Sequence, residues 1–193
     1  TKLTVLESLA SKVDHLILGG GIANTFLAAF GFGVGKSLYE RHLIETAKKI
    51  MDSTNVPPPT DVVTAKEFKK DAPAAIKMIS EIETDDIIMD VGPETCSKFC
   101  ELIQKMNTII WNGPLGVFEF PRFSNGTESI ALAVAKNGGF SIAGGGETVT
   151  AIDRFSVGDK ISYISTGGGA FLEYVQGSKL PAVQILETKS IGM

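Results

Sequence analysis

Three runs of three glycines, Gly19–Gly21, Gly144–Gly146 and Gly167–Gly169, each follow a short apolar, β-like run: HLIL, FSIA and ISYIST. Glycine at the carboxyl end of a strand lets the backbone turn through positive φ and lets a ligand approach with no Cβ in the way. In an open parallel α/β sheet that edge is where ligands sit, and helix amino ends there favour anions. The pattern therefore points to a phosphate-bearing ligand, with a nucleotide the first choice.

The residues beside the triplets sharpen this. GGGET at 144–148 places backbone N–H groups at a helix start, where the helix dipole favours an anion by roughly 0.3–1 kcal/mol. Thr148 adds a hydroxyl, and Glu147 is compatible with a phosphate if Mg²⁺ lies between them. STGGGA at 165–170 offers consecutive amide donors, a nest suited to a transferring phosphoryl group. In NGPLGVFEF at 112–120, Glu119 is a carboxylate that can accept hydrogen bonds from both hydroxyls of a ribose.

Other chemistries are set aside. GFGVGKS at 31–37 resembles a P-loop, but position 30 is Phe where the motif needs Gly, and the segment follows a helix pattern. No triplet completes G-x-G-x-x-G, which removes the dinucleotide fingerprint of a nicotinamide-dependent dehydrogenase. His15 and His42 have no acid or nucleophile at a telling spacing, and Cys96 and Cys100 have no further Cys or His to complete a metal site. A net charge of −4 with scattered lysines gives no footprint for nucleic acid or an anionic membrane. No apolar run reaches the roughly 20 residues a bilayer span needs. Two thiols and no signal peptide pattern give the expectation of a cytoplasmic protein.

The elements that would position these residues alternate. Amphipathic spacing predicts a helix at the start, with Leu3, Leu6, Leu9, Ala10 and Val13 on one stripe. That helix begins with no lead-in, so the chain reads as a piece of something longer. Strands are expected at 15–18, 61–65, 87–90, 108–111, 140–143 and 161–165. Helices are expected near 22–29, 40–52, 73–80, 94–105 and 127–136, then from the GGGET turn to about 155 and from the TGGGA turn to about 175. The expected fold is α/β: a three-layer αβα sandwich with a mainly parallel, Rossmann-like sheet of about six strands, residues 1–193 forming one domain.

GGGIANTF (19–26), VGKSL (34–38), WNGPLGVFEF (111–120), GGGETVTAID (144–153) and KISYISTGGGAFLEYVQGSKLPAV (160–183) together closely resemble the phosphoglycerate kinase family. The likeness runs in order through practically the whole chain and matches the carboxyl-terminal, nucleotide-binding half, in a bacterial style. It implies reversible phosphoryl transfer between 1,3-bisphosphoglycerate and MgADP, giving 3-phosphoglycerate and MgATP. By that resemblance Gly20 and Gly21 line the adenine slot, with Met89 and Pro114 as apolar neighbours, and Glu119 binds the ribose. Gly145, Gly146, Glu147 and Thr148 hold the phosphates of ADP or ATP, with Glu147 at the Mg²⁺ position. Lys2 reaches the phosphates, and Gly167, Gly168 and Gly169 steady the phosphoryl group in flight.

Two departures from the family pattern stand out. Glu147 occupies a position where the family most often has Asp, one methylene shorter. The amino-terminal domain, whose basic patch grips 3-phosphoglycerate, is absent, as is a second lysine just upstream of Lys2. Arg41, Arg122 and Arg154, far apart in sequence, do not replace that patch. The partners implied are adenine nucleotide and the missing domain, within a monomeric parent enzyme that binds neither nucleic acid nor membrane. The chain alone is expected to bind nucleotide with little or no turnover. The alternative is a non-catalytic nucleotide-binding module using the same pocket.

Overall fold

A computed structural model describes residues 2–191, with the side chains of Lys2, Thr4, Ser190 and Ile191 outside the description. The elements in order are α1 (Lys2–Ala10), α2 (Gly20–Ala29), α3 (Ile44–Ser53), β1 (Asp61–Ala65), β2 (Ala75–Met78), β3 (Ile87–Val91), α4 (Pro93–Gln104), β4 (Thr108–Trp111), α5 (Asn125–Lys136), β5 (Phe140–Gly144), α6 (Gly146–Arg154), β6 (Tyr163–Ser165), α7 (Gly169–Val175) and α8 (Pro181–Ile191). Among the described residues no helix is long and apolar enough to cross a membrane.

The α/β class holds, but the single mainly parallel sheet does not. Among the described residues six strands form two sheets: β2-β1-β3 is antiparallel, and β4-β5-β6 is parallel. Two expectations fail in instructive ways. Residues 15–18 form no ladder; His15 makes one isolated bridge to Asn55, and the Leu16 amide donates to the Asn55 carbonyl at 2.9 Å. A strand needs a neighbour, and a cavity lies between this segment and β4. The helix expected near 73–80 is instead β2 followed by a 3₁₀ turn at Ile79–Glu81. β1 is deeply buried, with Val62 and Thr64 at 2% and 1% exposure, so its backbone groups need partners on both edges.

Local chemistry explains the helices that position the site. α4 starts with Pro93 at its first position, where the missing N–H costs nothing. Asp61, reaching across from β1, accepts from the amides of Glu94 (3.1 Å) and Thr95 (2.8 Å) and so caps it. Cys96, Phe99 and Ile103 recur at helical spacing and are buried. Asn137, just past α5, closes the other end by donating to the carbonyls of Ile103 (2.7 Å) and Met106 (2.9 Å).

The largest core packs α4, α5 and α6 against β4 and β5 through residues such as Phe99, Trp111, Phe118, Val134 and Ile152. Each such side chain contributes about 1.5–3 kcal/mol when fully buried. A second cluster, with Leu3, Phe26, Ala47 and Ile50, joins α1, α2 and α3; a third, with Ala65, Met89 and Phe123, lies under the antiparallel sheet. The GFGVGKS segment follows α2 and docks on the entry to β3. Lys36 N–H donates to the Asp86 carbonyl at 2.7 Å, and buried Ser37 accepts from the Ile88 amide at 2.8 Å. Its serine is used in packing, and the P-loop likeness has no structural basis.

Candidate functional site

The parallel register sets the site. Trp111 pairs with Ala143 and Gly144 with Ser165, so β4, β5 and β6 end level with one another. Loop 112–120, the turn at 144–148 and the turn at 166–169 therefore leave the sheet at one edge.

The middle turn is built from glycine for two reasons. Gly145 has φ +96°, a region that L side chains rarely occupy. A Cβ on Gly144 would lie 2.4 Å from the ring of Phe171, which α7 packs over this turn. The second and third turns are thus held together by Phe171. Asn112 ties the first to the second, its Nδ2 donating to the Gly144 carbonyl at 2.5 Å. Thr148 is buried and accepts from the Gly113 amide at 2.7 Å, so its hydroxyl oxygen fixes loop 112–120 to α6. Glu147, in the first turn of α6, is exposed and has no partner among the described residues. The Glu147 carboxylate would hold Mg²⁺ together with phosphate oxygens, to which the first amides of α6 would donate.

Gly19–Gly21 approaches from the other side. Gly20 opens α2, its amide donates to the Leu115 carbonyl at 3.0 Å, and a Cβ on Gly19 would lie 2.3 Å from the Pro114 carbonyl oxygen. Asn24 donates to the Leu38 carbonyl at 3.0 Å, which holds the following loop over α2.

Between these walls lies a cavity of about 1010 Å³, lined among others by Gly20, Gly21, Met89, Pro114, Glu119 and Glu147. These six expected site residues come together, with Glu119 exposed and Met89 buried. Gly145, Gly146 and Thr148 flank Glu147 but do not line the cavity, and Gly167–Gly169 stand exposed beyond the Phe171 contact. Lys2 lies in α1, but its side chain falls outside the described residues.

A family model for phosphoglycerate kinase matches residues 1–178. The structure of phosphoglycerate kinase from Coxiella burnetii is 47% identical, with a TM-score of 0.91 over 96% of this chain and 49% of that one. This chain belongs to the phosphoglycerate kinase family. The enzyme of that name from Pyrococcus horikoshii OT3 is 29% identical, with a TM-score of 0.81, covering 96% of this chain and 48% of its own. The chain thus spans about half the length of these phosphoglycerate kinases, a family of glycolytic kinases that use magnesium–nucleotide.

Two residues at the site carried no role in the sequence reading. Asn112 had a visible signal, an amide directly after the last residue of a strand. Asp90 sits inside β3 at 2% exposure and lines the same cavity. Burial pushes its carboxyl up to about 7, against the opposing effect of the Gly126 and Val91 amides that donate to it, with no cation among the described residues to offset the burial. Cys96 is a core thiol, pushed by burial up to about 11 and so unreactive.

Proposed function

We propose that this chain is the nucleotide-binding half of a phosphoglycerate kinase, holding MgADP or MgATP for transfer to and from a carboxyl group. In the forward reaction a terminal phosphate oxygen of ADP attacks the acyl phosphate of 1,3-bisphosphoglycerate. The bond from phosphorus to the carboxyl oxygen breaks, and 3-phosphoglycerate leaves as ATP forms. Adenine lies against Gly20 and Gly21 with Met89 and Pro114 beside it, and Glu119 accepts from the ribose hydroxyls. The amides of Gly145, Gly146, Glu147 and Thr148 face the phosphates. Glu147 would hold Mg²⁺, which supplies charge neutralisation on the phosphate oxygens when bound. Gly167, Gly168 and Gly169 present amides to the group in flight, and Lys2 adds a positive charge. Such a site works by positioning and charge, with no covalent intermediate on the protein.

The observation that carries this reading is the gathering of Gly20, Gly21, Met89, Pro114, Glu119 and Glu147 around one cavity at the level ends of three parallel strands. The basic patch for 3-phosphoglycerate belongs to the other half of the family's length. The isolated chain should therefore bind nucleotide but turn over little or no substrate, because closure of two halves excludes water and aligns the phosphates.

Calorimetric titration of MgADP tests the proposal, repeated without Mg²⁺ and with Glu147→Ala. Saturable binding that weakens about tenfold or more in both controls is expected. A folded protein that binds no MgADP, or binds it equally well in both controls, would overturn the assignment of this site.

A further inference from the structure

Asp90 is a buried acid with no cation beside it among the described residues, held by contacts that converge on the loop in front of it. Its Oδ2 accepts from the amide of Gly126, the second residue of α5, at 2.8 Å, and its Oδ1 from the Val91 amide at 2.9 Å. The carboxylate fills a notch that glycine creates: a Cβ on either Gly116 or Gly126 would stand 2.2 Å from Oδ1. Around this notch loop 112–120 is pinned on both sides. Val117 N–H donates to the Met89 carbonyl at 2.8 Å, one residue before Asp90. Thr127, next to Gly126, accepts from the amides of Leu115 (3.2 Å) and Gly116 (3.4 Å). The Leu115 carbonyl in turn accepts from Gly20.

We infer that Asp90 is a positioning residue for nucleotide binding: its carboxylate, wedged between Gly116 and Gly126, sets the distance of loop 112–120 from α5 and so places Gly20, Pro114 and Glu119 around the cavity. The inference rests on the nucleotide-site reading above. Asp61 supplies a natural control. It is an equally buried acid on the neighbouring strand and caps α4 in the same manner, with Gly92 making its notch, but it touches no part of loop 112–120.

Asn keeps the shape of Asp but replaces one acceptor oxygen with a donor, so one of the two amides loses its partner. Asp90→Asn is expected to weaken MgADP binding about tenfold and to shift the emission of Trp111, the only tryptophan, whose indole N–H donates to the Gly113 carbonyl at 2.9 Å. Asp61→Asn should lower the melting temperature yet leave MgADP affinity within twofold and the emission unchanged. Equal affinity losses in the two variants, or unchanged affinity in folded Asp90→Asn, would overturn the inference while leaving the nucleotide site standing. A wild-type chain that binds no MgADP would remove the nucleotide reading itself and the inference with it. Should Asp90→Asn not fold, Gly116→Ala carries the test, since it displaces the same carboxylate from the loop side and should give the same loss.

Discussion

The two ends of β3 hold a buried aspartate each, and the molecule satisfies them in opposite ways. Asp86, just before the strand, is 1% exposed and meets Lys66 at 2.9 Å and Lys77 at 2.8 Å, with the Glu83 amide donating at 2.7 Å. Burial pushes its carboxyl up, but the two lysines and that amide outweigh it and hold it near 2. Asp90, near the other end, has two amides, a glycine notch and, among the described residues, no cation, and burial wins. Asp86 does not line the cavity, although its neighbour Ile87 does; Asp90 lines it. At the Asp90 end the space around the carboxyl is filled by the backbone at Gly116 and Gly126 rather than by a cation. Glu83, Asp85 and Asp86 are also close enough together to hold a cation, yet all three already pair with Lys66, and Glu83 and Asp86 also with Lys77.

The contrast predicts opposite pH dependences, the larger at Asp90. Its folded value of about 7 lies above the ordinary 3.8, so the folded state keeps a proton that the unfolded chain releases. The stability this contributes is complete below pH 3.8 and is lost as pH rises towards 7, then stays level. At about 1.4 kcal/mol per pH unit the loss has an upper bound of about 4 kcal/mol. Denaturant titrations from pH 4 to 8 should show wild type losing stability relative to Asp90→Asn over that range. A constant difference between the two would mean that Asp90 is solvated and not buried as described.

How much of this was legible in the sequence depends on whether the signal is local. The glycine turns were, because a strand end, a residue free to take φ +96° and a helix start lie within five residues at Gly144–Thr148. The helices α4 and α6 were, because Gly92–Pro93 and Gly145 mark their starts, whereas α5, expected at 127–136, begins two residues earlier at Asn125. Strand direction and partnership were not. AAIKMIS reads equally well as a helix until β1 offers it a buried edge, and HLIL has strand composition but no neighbour to pair with. Asp90 was invisible for the same reason. In IIMDV it looks like the polar half of an alternating strand, and only its bond to Gly126, 36 residues on, reveals its position. α8 was not anticipated, and residues 181–189 are exposed, so no packing pattern marked it.

At the Asp86 end the dependence runs the other way and is smaller. Its folded value of about 2 lies below 3.8, so the stability it contributes is present above pH 3.8 and disappears as pH falls through 2. Lys66 is half in solvent, which screens that arm of the network, whereas Lys77 is mostly covered. Asp86→Ala should therefore cost about 1–2 kcal/mol at pH 7, chiefly through the Glu83 amide and Lys77. Lys66→Met should cost less than Asp86→Ala and lose most of that effect in high salt. Neither substitution should alter MgADP affinity, since none of Lys66, Lys77, Glu83, Asp85 and Asp86 lines the cavity. Measured together with the Asp90 variants, these separate the two ends of one strand. A loss of nucleotide affinity in Asp86→Ala equal to that in Asp90→Asn would show that β3 moves as a rigid unit and that the division of labour between its ends is wrong.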